Sequence, residues 1–385
     1  MLHHQGLRKY TCNAVRKINV KNLILFVLFL GALTGAGITT YLYSKLAKIQ
    51  VKNNPSEKSA LLSAPNANNI PSDKYTNILL LGYGGAGHDG GLLTDSLIVV
   101  NIDRENSQVN LISIPRDLWL AIPTDWDSTT NNKINEAYAI GGNETKYANK
   151  KPEFRGDVGR GNLAKYVVNS VIGMPINYFI AVDFSGFTKA IDLLGGIEID
   201  VPNAFDDYFY PVKGLENETC GKSAQEIADL HSKYSGFDLE KQFTCRYEHL
   251  HFDKGIQTIN GTSALKFVRS RHSNESGGDF ARSQRQFALL TGIKNKIISL
   301  QIITKADPVF DKLVESVKTD MDSNGIKALV NILTNSSSYT TKGIFLTDQN
   351  VLQQSKSGSG QFILVPREGV NKWTQVQNYI FSELK

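Results

Sequence analysis

Apolar and polar positions along the chain fall into distinct textures. Residues 23–43, LILFVLFLGALTGAGITTYLY, carry no charge over 21 positions, close to the ~20 residues a helix needs to cross a bilayer. A cleaved signal peptide has a shorter apolar region, ~7 to 15 residues, and a small-residue cleavage site, which does not follow here. Arg8, Lys9, Arg16, Lys17 and Lys21 precede the run without an acid, and Lys45, Lys48, Lys52 and Lys58 follow it. This bias predicts a cytoplasmic head (1–22), one transmembrane helix (23–43) and a bulk held outside the cytoplasm at the cell membrane. Residues 44–73 mix Asn, Ser, Pro and Lys without a period, a linker that stands the remainder off the membrane.

From Asn77 the texture changes. NILLLG, SLIVVNID and VNLISIP are short, nearly continuous apolar runs rich in strand-favouring residues,. Runs apolar on both faces suit a sheet covered by helices on each side. NYFIAVDF (177–184) predicts a fourth strand, FTKAIDLLGG a helix closed by glycine, and IEIDV (197–201) a fifth strand. The fold class is therefore α/β or α+β, a layered domain over 74–305. Residues 203–255 break the sheet pattern as a polar, aromatic insertion. ALKFVRSR ends a helix or a strand, and DFARSQRQFALLTGIKNKIISL predicts one long helix with Asp279 near its start,. Residues 306–385 predict a C-terminal extension packed on the domain: a helix (VFDKLVESV), a strand (QFILVPREG) and a final helix (WTQVQNYIFSEL).

Composition narrows the class. With 41% hydrophobic residues in 385 the chain can bury a sizeable core,. Lys+Arg 42 against Asp+Glu 37 leaves a net charge of only +5, too balanced for a nucleic-acid footprint, and the outward orientation leaves no nucleic-acid partner. Cys12 falls on the inner side; Cys220 and Cys245 fall outside, where they either staple the insertion or stand as free thiols. No Cys or His spacing suggests zinc.

The charge pattern carries the candidate chemistry. RSRHSNESGGDFARSQRQ (269–286) holds Arg269, Arg271, Arg282 and Arg285. On one helix Asp279, Arg282 and Gln286 share a face, with Arg285 beside them. The bland alternative is a solvated, internally paired helix face. Exclusive use of arginine favours bidentate binding of phosphate. SIPRD places Arg116 and Asp117 past the end of a buried strand, where open α/β sheets bind ligands. HDGGLLTDS delivers Asp89 and Asp95 from a glycine-rich loop. Carboxylates beside a polyanion suggest Mg2+ bridging phosphate oxygens. The glycines lack the Gly-Lys-Ser/Thr of a Walker loop, no G-x-S-x-G elbow is present, and His88, His251 and His272 suit polar surface positions better than catalysis.

Taken in order, ILLLG, LLTDSLIVVNID, VNLISIPRD, KINEAYAIGG, NYFIAVDFSGFTKAIDLLGGIEIDVP, FVRSRH and DFARSQRQ resemble the LytR-CpsA-Psr family over about residues 75–300. That resemblance implies a central mixed sheet flanked by helices, with a greasy pocket for a polyprenyl tail and an arginine-lined mouth. It implies a Mg-dependent phosphotransferase that moves a glycopolymer from a polyprenyl-pyrophosphate carrier to a peptidoglycan hydroxyl. Arg116, Arg269, Arg271, Arg282, Arg285 and Gln286 stand at the motif positions for the pyrophosphate, Lys133 at a site-lining position and Asp95 at a magnesium position. Asp117 or Asp279 is then a candidate to take the acceptor's proton or to orient an arginine. The chain departs from the family at Tyr83, where an aspartate is common, and at Leu93, where an arginine is; Asp89 is the substitute second metal ligand. The same residues also suit a pyrophosphatase acting on the lipid-linked glycan, or a non-catalytic regulatory protein that binds the carrier.

Overall fold

A computed structural model describes residues 75–88, 90–273, 278–299, 317–322, 329 and 339–385. The predicted span, the linker and the helix VFDKLVESV up to residue 316 lie outside the described residues. Among the described residues no helix is long and apolar enough to cross a membrane.

The apolar runs become strands that lie side by side in a meander. β1 (Tyr75–Tyr83), β2 (Thr94–Asp103) and β3 (Gln108–Ser113) pair antiparallel. β4 (Trp119–Pro123) and β5 (Thr129–Lys133) form a separate hairpin, leading into α1 (Ala137–Gly141) and α2 (Gly156–Ile172). β6 (Tyr178–Asp183) returns parallel to β1, and α3 (Phe184–Leu193) follows at once, its first turn capped by Asp183, which accepts from Gly186 N at 2.7 Å,.

One predicted strand sits elsewhere than expected, and the insertion carries strands of its own. β7 (Ile197–Val201), the expected fifth strand, pairs outside the main sheet with β10 (Gly255–Ile259). The insertion is not devoid of strands: β8 (Phe205–Pro211) and β9 (Tyr247–Phe252) form a hairpin enclosing α4 (Ala224–Lys233) and α5 (Phe237–Glu240). The Cys220–Cys245 disulfide staples it, Cα to Cα 5.6 Å. α6 (Gly261–Arg269) and α7 (Gly278–Ser299) then deliver the arginine run.

The C-terminal segment is integral rather than appended. β11 (Val317–Thr319) flanks β6, and β12 (Thr340–Phe345) pairs parallel with β3, giving the sheet order β11-β6-β1-β2-β3-β12. A boundary at residue 305 therefore cuts through the sheet. β13 (Leu352–Lys356) and β14 (Phe362–Pro366) make a last hairpin before α8 (Thr374–Glu383).

One face of the sheet is closed by helices. Leu79, Leu81, Val99 and Ile112 meet Leu163, Val167 and Val171 of α2 and Ile380 of α8 in a continuous buried core, which removes apolar surface from water at about 25 cal/mol per Å2. α2 approaches this closely because Gly161 has no side chain: a Cβ there would lie 2.1 Å from the Phe179 ring. Register is fixed by a buried polar ladder. Asn101 donates to Asn77 Oδ1 at 2.8 Å and Asn110 to Asn101 Oδ1 at 3.1 Å, one rung on each of three neighbouring strands. A one-residue slip would bury these amides without partners.

Candidate functional site

The opposite face of the sheet is only partly filled. Leu80, Ile98, Ile180 and Val182 make the floor of a cavity of about 590 Å3, and Phe187, Leu265, Val268, Leu289 and Leu290 from α3, α6 and α7 make its walls. Strand alternation places these floor residues opposite the helix-covered core. The polar end of the same cavity carries Asp95, Arg116, Arg269, Arg271, Arg282 and Gln286. Chain segments far apart in sequence thus converge: the start of β2, the turn after β3, the end of α6 and one face of α7.

Each arginine is held by something other than solvent. Arg116 Nη1 donates to Asp95 Oδ1 at 2.5 Å, and Arg271 Nη2 lies 4.0 Å from the same oxygen. Arg269 donates to the Tyr210 hydroxyl at 3.3 Å, with its guanidinium over the Phe184 ring at 4.5 Å,. Arg282 and Gln286, one helical turn apart, are buried at 6% and 7% exposure. Ser283, between them, meets Ser113 at 2.9 Å and ties α7 to the end of β3.

Asp117 and Lys133 stand behind Arg116 rather than in the cavity lining. Lys133 Nζ donates to Asp117 Oδ1 at 2.5 Å, and Arg116 Nε lies 3.4 Å from Oδ2. Burial pushes the Asp117 carboxyl up, but the Lys133 hydrogen bond and the Arg116, Lys133 and Arg271 charges outweigh it and hold it below its ordinary value,. A carboxylate so strongly held is a poor proton acceptor and a good support for Arg116.

Arg285 differs from the expectation that it shares a ligand with Arg282. It is buried at 3% exposure, donates to the Ser270 carbonyl at 2.6 Å and lies over the Phe205 ring at 4.8 Å. Burial pushes its guanidinium down to about 10. Three residues on from Arg282, it turns into the protein wall, toward the Ser270 carbonyl and the Phe205 ring, rather than into the cavity. Asp279 is in the first turn of α7, but its side chain, like Asp89 as a whole, lies outside the described residues. His272 is half-buried, stacked on Phe237 at 3.8 Å, and lines the cavity, so its surface assignment does not hold.

The residue that sequence inspection missed is Asp207. It is 1% exposed, and its Oδ2 accepts from Ser270 Oγ at 2.7 Å, Arg271 N at 3.0 Å and His272 N at 3.2 Å. Its Oδ1 accepts from Phe209 N at 2.9 Å. Burial raises this carboxyl, and these four bonds more than reverse the effect, holding it below the carboxylate norm. Asp207 therefore fixes the turn from which Arg269 and Arg271 project. In the sequence it is one of two acids in FDDY within an irregular segment, and no spacing marks it as the buried one.

Among the described residues no three His, Cys, Asp or Glu side chains gather into a metal-ligand set. Asp95 by itself is a hard oxygen donor at the arginine-lined end, with a side chain 31% exposed. That suits magnesium, which usually takes one or two carboxylates with the rest from water and substrate phosphates.

An apolar cavity closed at one end by converging arginines suits an amphiphile with a strongly anionic head. The chain belongs to the LytR_cpsA_psr family, matched over residues 37–376. It is 28% identical over 338 residues to the polyisoprenyl-teichoic acid–peptidoglycan teichoic acid transferase TagV of Bacillus subtilis, covering 86% of this chain and 70% of that protein. It is also 28% identical over 304 residues to the transferase of the same description, TagU, from Bacillus anthracis, covering 78% and 80%. The crystal structure of B. subtilis TagV superposes with a TM-score of 0.51 at 24% identity, covering 80% of this chain and 95% of that one, which shows the shared mixed α/β fold.

Proposed function

We propose that this protein is a membrane-anchored phosphotransferase that moves a glycopolymer from a polyprenyl-pyrophosphate carrier to a hydroxyl of peptidoglycan. The observation that carries the proposal is a cavity that joins a greasy interior to an arginine end. The names of the relatives, which describe transfer of polyisoprenyl-linked teichoic acid to peptidoglycan, support the same reaction class. The anchor is the apolar run 23–43, with its N-terminus in the cytoplasm.

The polyprenyl chain lies on Leu80, Ile98, Val268 and Leu290, and the pyrophosphate lies against Arg116, Arg269, Arg271 and Arg282. Magnesium held by Asp95 would neutralise charge on the phosphate oxygens. The acceptor hydroxyl attacks the phosphorus next to the glycan; an oxygen–phosphorus bond forms, the bridging bond to the distal phosphate breaks, and polyprenyl phosphate leaves, taking up the hydroxyl proton. Phosphoryl transfer of this kind asks the protein chiefly for alignment and charge stabilisation. Arg282 and Gln286 are buried on one rigid helix, which supplies the alignment. Arg116 keeps its direction through Asp117 and Lys133.

The test is to supply the full chain in detergent with a polyprenyl-pyrophosphate glycan, a muramyl acceptor and Mg2+, with Arg282→Ala alongside, and to read products by mass spectrometry. A phosphodiester-linked conjugate with polyprenyl phosphate released, absent from the variant, is expected. Hydrolysed donor without conjugate would make the protein a pyrophosphatase, and bound but intact donor would make it a carrier-binding regulator.

A further inference from the structure

The insertion that interrupts the sheet pattern does more than brace the arginine turn. Phe209 of β8, Tyr247 of β9, and Glu216, Glu240 and Arg246 from the segment between them line the same cavity as the arginines. Glu240 lies within electrostatic range of His272, which also feels Arg271, and Glu216 within range of His88, which also feels Arg269 and Asp95. The two carboxylates therefore border the pyrophosphate position on its insertion side. Both are exposed, and Glu216 accepts from Gly214 N in its own turn, at 2.8 Å. Tyr247 lines the cavity with them, edge-on to Phe209 with ring centroids 5.7 Å apart.

This rim is rigid. Cys245 is bonded to Cys220, and the adjacent Arg246 donates to the Glu218 carbonyl at 2.7 Å and lies over Phe243 at 3.9 Å. Val212 N closes the base by donating to the Arg246 carbonyl at 2.9 Å. A preformed surface of aromatic ring, carboxylates and guanidinium suits sugar hydroxyls and a ring face. Two carboxylates beside a site for a pyrophosphate repel any further anion there.

We infer that the disulfide-stapled insertion selects the first sugar beyond the pyrophosphate, and that it selects an uncharged sugar over an acidic one. This rests on the proposed transferase function. Tyr247 packs against the sugar face, while Glu216 and Glu240 accept from its hydroxyl or amide groups and exclude a sugar carboxylate.

Three probes separate the possibilities: farnesyl pyrophosphate, its N-acetylglucosaminyl ester and its glucuronyl ester, each titrated against the full chain in detergent. Wild type is expected to bind the uncharged sugar probe more tightly than the sugarless one, and the glucuronyl probe about tenfold more weakly than the uncharged one. The double variant Glu216→Gln with Glu240→Gln should reduce that discrimination to about twofold without weakening farnesyl pyrophosphate binding. Tyr247→Ala should remove the gain from the uncharged sugar. Equal wild-type affinity for the two sugar probes, or discrimination kept by the double variant, would overturn the inference while leaving the transferase assignment intact. Failure of farnesyl pyrophosphate itself to bind would instead remove the assignment on which the inference stands.

Discussion

Replacing Asp207 by asparagine isolates the support of the arginine turn from the arginines themselves. The side chain keeps its shape, but one oxygen becomes an NH2 group. Its neighbours are three backbone N–H donors, from Phe209, Arg271 and His272, and one hydroxyl, from Ser270. Whichever way the amide turns, at least one backbone N–H faces another donor inside the protein, at a cost of about 1–3 kcal/mol. Loss of the charge that strengthens the remaining bonds, and of the anion near buried Arg285, brings the total to about 3 kcal/mol. At about 2–4 °C per kcal/mol for chains of this order, the melting temperature followed by circular dichroism should fall by roughly 6–12 °C. Because the wild-type carboxyl is held below its unfolded value, its contribution is present above about pH 4 and is lost as pH falls through the folded pKa. The gap between variant and wild type should therefore be full at pH 7 and shrink on acidification below pH 4. Transfer should drop with donor saturating, since Arg269 and Arg271 lose their common brace. A variant that melts with the wild type and turns over at its rate would show that Asp207 positions nothing.

The other expectations follow from single contacts. Arg269→Ala removes a charge-assisted contact worth about 1.5–3 kcal/mol, so transfer should fall roughly 10- to 150-fold, and an unchanged rate in the product assay would remove Arg269 from the site. Leu290→Trp fills part of the apolar end of the cavity, so affinity for a long-chain carrier should fall while that for a short-chain pyrophosphate stays; equal losses for both would place the tail elsewhere. Asn101→Leu leaves the buried amide of Asn110 and the oxygen of Asn77 facing hydrocarbon, and urea unfolding should show a loss of about 2–6 kcal/mol.

Much of this architecture is legible in the chain because its signals are local. Continuous apolar runs gave β1, β2, β3 and β6 nearly to the residue, and α7 is as long as its spacing implies. What stayed hidden depends on contacts between distant segments. α2 is apolar around much of its circumference and holds Gly156, Gly159 and Gly161, so no single stripe announces a helix; those glycines make sense only once Phe179 is seen against one of them. β12, TTKGIF, has little to mark it as a strand until β3 is there to pair with it. The arginines could be found by type and spacing, but not sorted, since Arg282 and Arg285 differ only in which side of α7 meets the cavity. Asp207 could not be found at all, because its importance lies in the backbone donors of residues more than sixty positions away.

The same contacts explain how so many like charges remain together in one small volume. Arg116 is answered by Asp95 and Asp117, the Arg269–Arg271 turn by Asp207, and Arg269 also by the faces of Phe184 and Tyr210. Two of these carboxylates have different prospects when an anionic head group arrives. Asp207 is enclosed, bound to the backbone, and stays. Asp95 is about a third exposed and holds Arg116 from the cavity side, so a pyrophosphate that takes Arg116 competes directly with it. On the proposed function, the arginine then passes from the protein's own carboxylate to the substrate's phosphate, and an Asp95 oxygen is released beside that phosphate. The affinity for the head group is thus a difference between two ion pairs rather than the full strength of one. Asp95→Asn should accordingly tighten binding of farnesyl pyrophosphate in the absence of divalent cation, as read by calorimetry, and weaker binding there would mean that Asp95 does not compete for Arg116.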